Sequence, residues 1–103
     1  MMFHLNEEQE LLISEFVDLI LIEKYFEAHE LLEKNLWDKK SKDKLNLYFK
    51  GLINSAVAMQ LYKLNRKPQS RKVFNTFLKY KIDIPMFYNL NLFIENYYLK
   101  LIS

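Results

Sequence analysis

The sequence predicts an all-α protein: a single compact bundle of about five helices around a buried third helix. Three observations carry that prediction. Half of the 103 residues are hydrophobic and 16% are aromatic, a composition that excludes a disordered chain. One glycine and two prolines supply few turn signals, which favours a few long helices over many short strands. Apolar residues recur at three- and four-residue spacing along most of the chain. The length suits one domain, residues 1–103, with one core.

The first helix opens at Asn6, with Gln9 three residues on to form a capping box and Leu5 placed to staple the first turn. Glu7 and Glu8 stand where the helix dipole favours acids. Leu12, Phe16, Leu19 and Ile20 mark its core face, and the helix is expected to end near Ile22. The second helix is expected from Tyr25 to Trp37, and DKKSKDK (38–44) after it reads as a solvated charged loop or helix start. The third runs from about Lys42 to Leu64. Its apolar residues cover most of the circumference, which marks a central helix. Gly51, Ser55, Ala56 and Ala58 are small enough for a neighbour to come close, which offsets the roughly 1 kcal/mol that a mid-helix glycine costs. Asn65 to Pro68 is the clearest turn. A fourth helix follows from Gln69 to Tyr80, burying Val73, Phe74, Phe77 and Leu78. Pro85 introduces the last helix, Met86–Ile102. The first two helices look like a helical hairpin of the solenoid type, without a repeat strict enough to define a period.

Several function classes drop out. Without cysteine there is no disulfide framework and no thiolate zinc site. A single glycine excludes a glycine-rich phosphate loop, and no serine sits in a strand-turn-helix elbow. MMFHLNEEQELL lacks the basic start and apolar core of a secretory signal. Glu15, Asp18, Glu23 and Lys24 interrupt the first candidate membrane span. The expectation is a cytoplasmic domain without a membrane partner. A net charge of +2 is too small to argue for nucleic acid on its own, and the basic set Arg66, Lys67, Arg71, Lys72, Lys79 and Lys81 reads as a solvated helix face, so a nucleic-acid partner is not expected.

One cluster stands apart. On a helical wheel with Phe26 at zero, Trp37 falls at roughly 20°, Glu30 at roughly 40° and Glu33 at roughly −20°. Two glutamates thus share a narrow stripe with two large aromatics, with His29 beside them and Glu27 on the far side. Three readings stay open. The stripe can be the rim of the core, with His29 capped by Glu33 at i,i+4. It can line a partly shielded polar pocket, in which burial would push a glutamate toward acid or base work or ligand anchoring. It can hold a metal, since HELLE resembles the HExxH pattern with His29 and Glu33 as ligands and Glu30 as base. A third ligand is missing from that pattern, so no metal and no other cofactor is expected.

The residues YFEAHELLEKNLW, followed after the charged loop by GLINSAVAM, resemble the domain of unknown function (DUF) 309 family of small, all-helical bacterial and archaeal domains. Tyr25, Phe26, Glu27, His29, Glu30, Glu33 and Trp37 match its first block. Gly51, Leu52, Ile53, Ala56, Val57 and Ala58 match its second. The likeness covers about residues 19–78. Asn54 stands where the family usually carries glutamine, and Gln69-Ser70 replaces the usual Gly-Ala pair. The resemblance implies a helical bundle and no particular activity. It also raises the prospect that Asn54 reaches the glutamate stripe, against the alternative that it faces solvent.

The leading expectation is therefore a non-enzymatic binding or interaction module, with a groove of Phe26, Glu27, His29, Glu30, Glu33, Trp37 and Asn54. The alternative is a small metal-dependent hydrolase or other acid/base enzyme on the His29/Glu30/Glu33 cluster. The aromatic C-terminal helix is a candidate contact for a second copy or a protein partner.

Overall fold

A computed structural model describes residues 4–103. Residues 1–3, where the stretch weighed as a secretory signal begins, lie outside them. The described chain is five helices and no strand: α1 (Glu7–Leu21), α2 (Tyr25–Asn35), α3 (Lys44–Lys63), α4 (Lys67–Tyr80) and α5 (Pro85–Ile102). The all-α expectation holds. No described helix is long and apolar enough to cross a membrane.

Local chemistry sets most boundaries. The Asn6 side chain accepts from the Gln9 amide at 2.8 Å, and the Gln9 side chain accepts from the Asn6 amide at 3.0 Å, which completes the capping box. Leu5 lies partly buried against the core. α3 starts at Lys44 rather than Lys42 because Asp43 is its cap, accepting from the Asn46 amide at 2.8 Å. α4 begins at Lys67, two residues before the expected start, with Pro68 in its first turn.

The hairpins α1–α2 and α3–α4 turn through the same corner. Glu23 (φ 62°) and Asn65 (φ 63°) are both left-handed. The next amide in each case bonds back five residues, Lys24 to the Leu19 carbonyl and Arg66 to the Leu61 carbonyl, both at 2.8 Å. This is the Schellman closure, usually made with glycine. Asparagine tolerates that conformation; glutamate carries a cost of roughly 1 kcal/mol. Glu23 also pairs with Lys63 at 2.7 Å, so the corner between α1 and α2 is fastened to the end of α3.

α3 is the central helix, packed against α2, α4 and α5. Its buried residues include Tyr48, Phe49, Leu52, Ala56 and Met59, together with the small set Gly51, Ser55 and Ala58. A Cβ on Gly51 would lie 3.3 Å from the Phe77 Cα and 3.5 Å from the Tyr80 Cβ, so the missing side chain sets the close approach of α4. On α4, Ser70, Phe74 and Phe77 are buried and Val73 is partly so. Leu78, expected in the core, is 41% exposed, because it turns 100° past Phe77.

α5 is fastened to both hairpins by polar bonds. The Tyr97 hydroxyl donates to the Ile20 carbonyl (3.2 Å) and lies 2.8 Å from the Tyr25 hydroxyl. Tyr48 donates to Asn91 (2.6 Å), whose amide donates to the Ile82 carbonyl (3.0 Å). Ser70 donates to the Ala58 carbonyl (2.6 Å), which leaves its oxygen to accept from Tyr98 (2.8 Å). The Tyr98 ring stacks on Phe74 at 3.9 Å.

Candidate functional site

α2 ends at Asn35, and this separates the residues that the helical wheel had grouped. The Leu36 and Trp37 amides both bond to the Leu32 carbonyl, and the chain then leaves the helix. Trp37 therefore belongs to the loop between α2 and α3, and the helical angle no longer places it on the stripe of Phe26, Glu30 and Glu33. The two glutamates are engaged separately along α2. Glu30 pairs with Lys34 at 3.3 Å, and Glu33 lies 3.4 Å from the His29 Nδ1. That second contact lacks hydrogen-bond alignment, so the buried Nδ1 has no hydrogen-bond partner. His29 meets the edge of the Phe26 ring with centroids 5.0 Å apart.

Asn54 is half-buried and makes no side-chain hydrogen bond among the described residues, so the contact with the glutamate stripe does not form. No three His, Cys, Asp or Glu side chains converge as a metal site among the described residues. Glu27 is exposed. It borders both shallow clefts that flank Phe26, one toward Gln60 and Leu64, the other toward Glu15 and Leu19. Phe26 itself is 49% exposed on the ridge between them.

The opposite end of α2 leads to a different arrangement. The loop between α2 and α3 is clamped by Asn46, buried at the start of α3. Its amide donates to the Asp38 carbonyl (2.6 Å) and the Ser41 carbonyl (2.8 Å), and its oxygen accepts from the Asp38 amide (2.9 Å). The carboxylates of this loop turn back on the chain. Asp38 accepts from the Lys40 amide, while Asp43 accepts from Asn46 and from the Ser41 hydroxyl. The Asn46 amide, and then Ser41, hold the Asp43 carboxyl below its usual range.

Two clefts open where this loop, the start of α3 and the end of α4 meet. One is walled by Trp37, Tyr80, Lys39, Lys42 and Lys50. The other is walled by Lys44, Lys79, Lys81 and the apolar Ile82 and Ile84. Tyr80 and Leu47 border both, so the clefts adjoin. With volumes of about 330 and 400 Å³, each can accept a group the size of a nucleotide. Six lysines and no carboxylate line the pair. Lys81 is paired with Asp83 and Glu95. The other five have no ion pair among the described residues. Lys79 rests 5.3 Å from the Tyr80 ring centroid. The position of Tyr80 follows from Gly51, which lets this turn of α4 close on α3.

Charge is divided unevenly along the chain. Residues 1–43 carry 11 acids and 5 bases, net −6. Residues 44–103 carry 2 acids and 10 bases, net +8. No acid occurs between Asp43 and Asp83. The small net charge of +2 conceals this separation, which is why composition gave no argument for nucleic acid. The usable signal was the acid-free run from residue 44 to residue 82, which holds four of the six lysines; the convergence of three segments was not readable from spacing.

In the comparisons with known proteins, the family model described as domain of unknown function (DUF309) matches residues 13–73. No curated protein and no solved structure matches the chain.

Proposed function

The chain belongs to the DUF309 family, a membership that assigns no activity, and we propose that it is a non-enzymatic binding module for a polyanionic ligand held on the lysine-lined double cleft. The observation that carries this is the adjoining pair of clefts with six lysines, two aromatics and no carboxylate in their walls. Unpaired lysines crowded together repel one another, and an anion relieves that repulsion. The bland alternative is that Lys79 and Lys81 only complement the carbonyl end of α4. It does not account for Lys39, Lys42, Lys44 and Lys50 lining the same pair of clefts, since none lies at the end of a helix where a cation is favoured.

Catalysis is less well supported. An acid/base enzyme at α2 needs carboxylates that converge on one point, whereas Glu30 and Glu33 are engaged by different neighbours. The face around Phe26 supports a second reading, because a half-exposed aromatic ridge between two clefts suits the apolar side of a partner helix. A photo-crosslinking residue at position 26 tests it: one discrete adduct is expected in the native host, and a diffuse ladder refutes it.

Trp37 is the only tryptophan, so its emission reports occupancy of the cleft directly. Titration with inorganic polyphosphate in low salt is expected to change that emission, and added salt to reverse it. Lys42→Glu with Lys50→Glu is expected to abolish the response. An unchanged emission together with no heat of binding overturns the proposal.

A further inference from the structure

Resting on the polyanion reading above, we infer that the ligand is single-stranded nucleic acid, with bases stacked on Trp37 and Tyr80 and the backbone tracked by lysines. A site for phosphate alone needs cations and amide donors. It has no use for two partly exposed aromatic rings in the same cleft wall. Flexible strands are gripped in the complementary way, by a cationic groove with flat side chains on which successive bases lie. The layout here has those components in that order. Lys39, Lys42 and Lys50 surround Trp37 and Tyr80 in the first cleft, and Lys44 and Lys79 continue the cationic wall beyond Tyr80.

Duplex fits poorly. Its bases are stacked inside and present no free face to Trp37. It is read through a helix in a groove or by a broad cationic face, and the cations here line concave clefts instead. Negatively charged membrane fits poorly as well, because Trp37 and Tyr80 are partly buried in the cleft walls and do not stand out from the surface.

The loop that carries two of the lysines, Lys39 and Lys42, is held in shape by Asn46, so this part of the groove is fixed before the ligand arrives. The five unpaired lysines bound the salt response: if all contact phosphate, log K falls with log salt at a slope of up to roughly −3.5.

The experiment measures binding of the full chain by fluorescence anisotropy. The labelled probes are a 12-residue oligouridylate, a duplex of equal length, inorganic polyphosphate of matched charge and anionic phospholipid vesicles. Oligouridylate is expected to bind tightest. Trp37→Leu keeps an apolar side chain but removes the large π face. It is expected to weaken oligouridylate about 5- to 100-fold and to leave polyphosphate unchanged, while Trp37→Phe recovers much of the loss. Tyr80→Leu against Tyr80→Phe gives the same contrast on the other wall. Leucine and phenylalanine variants that melt together separate stacking from folding.

If polyphosphate binds as tightly as oligouridylate and neither aromatic matters, the nucleic-acid inference is overturned and the polyanion reading stands. If duplex or vesicles bind best, the inference is likewise overturned. If no probe binds, both readings fail.

Discussion

Replacing Asn46 by alanine tests how the cationic loop is built. The side chain makes three hydrogen bonds to loop backbone, at 2.6, 2.8 and 2.9 Å, and is 6% exposed. Each such bond contributes a net of roughly 0.5–1.5 kcal/mol. The loop partners are partly buried, so water re-solvates some of them after truncation. The expected loss is about 2 kcal/mol, which corresponds to a fall in melting temperature of roughly 8–16 °C for a domain of this size. Asn46→Asp separates the donors from the volume. It keeps an acceptor for the Asp38 amide but sets a carboxylate oxygen against the Asp38 and Ser41 carbonyls, which accept only. At neutral pH the aspartate variant is therefore expected to be at least as unstable as the alanine. Urea unfolding followed by circular dichroism measures both, and Trp37 emission reports the loop. If alanine costs under about 0.5 kcal/mol, or if aspartate is clearly the more stable of the two, the clamp is not what holds the loop.

Three further outcomes are expected. Glu30→Leu is expected to change stability by less than about 1 kcal/mol, because the carboxylate is partly exposed and loses only a pair with Lys34 on the helix surface. A loss above about 2 kcal/mol on thermal unfolding would show that Glu30 completes a network essential to the fold. Gly51→Ala gains about 1 kcal/mol of helix propensity but forces a Cβ to 3.3 Å from the Phe77 backbone, so a net loss of about 1 kcal/mol is expected by urea unfolding. A more stable alanine variant would mean that α4 yields freely. Burial, and then the charges of Asp83 and Glu95, push the Tyr48 hydroxyl well above its ordinary value near 10; burial and then Tyr97 do the same for Tyr25. The unfolded chain releases those protons from pH 10 upward while the folded chain keeps them. Stability from this source is complete below pH 10 and is lost above it, and for Tyr48 the slope reaches at most about 1.4 kcal/mol per pH unit. Tyr48→Phe is expected to flatten that decline in an alkaline unfolding series, and an unaltered slope refutes the assignment.

The helices were legible because their cause is local. Asn6 with Gln9, Pro68 in a first turn and the apolar spacing of Phe16 and Ile20 each act within a few residues, and the structure repeats them. Gly51 was legible too, since a lone glycine in a central helix has few purposes other than close packing. Other features depend on segments far apart in the chain. Trp37 looked like part of the α2 stripe only while α2 was assumed to continue, and the bonds to the Leu32 carbonyl end it sooner. Asn46 carried no mark in the sequence, because an asparagine in the first turn of a helix looks solvated until a loop folds over it. Most of all, the lysines of residues 39–50 and 79–81 are separated by nearly thirty residues of α3, its turn and α4. Local residue chemistry dictated the helices, most of their starting points and which of them is central. The tertiary structure alone decided which charges meet, because electrostatic fields add in space and not along the chain.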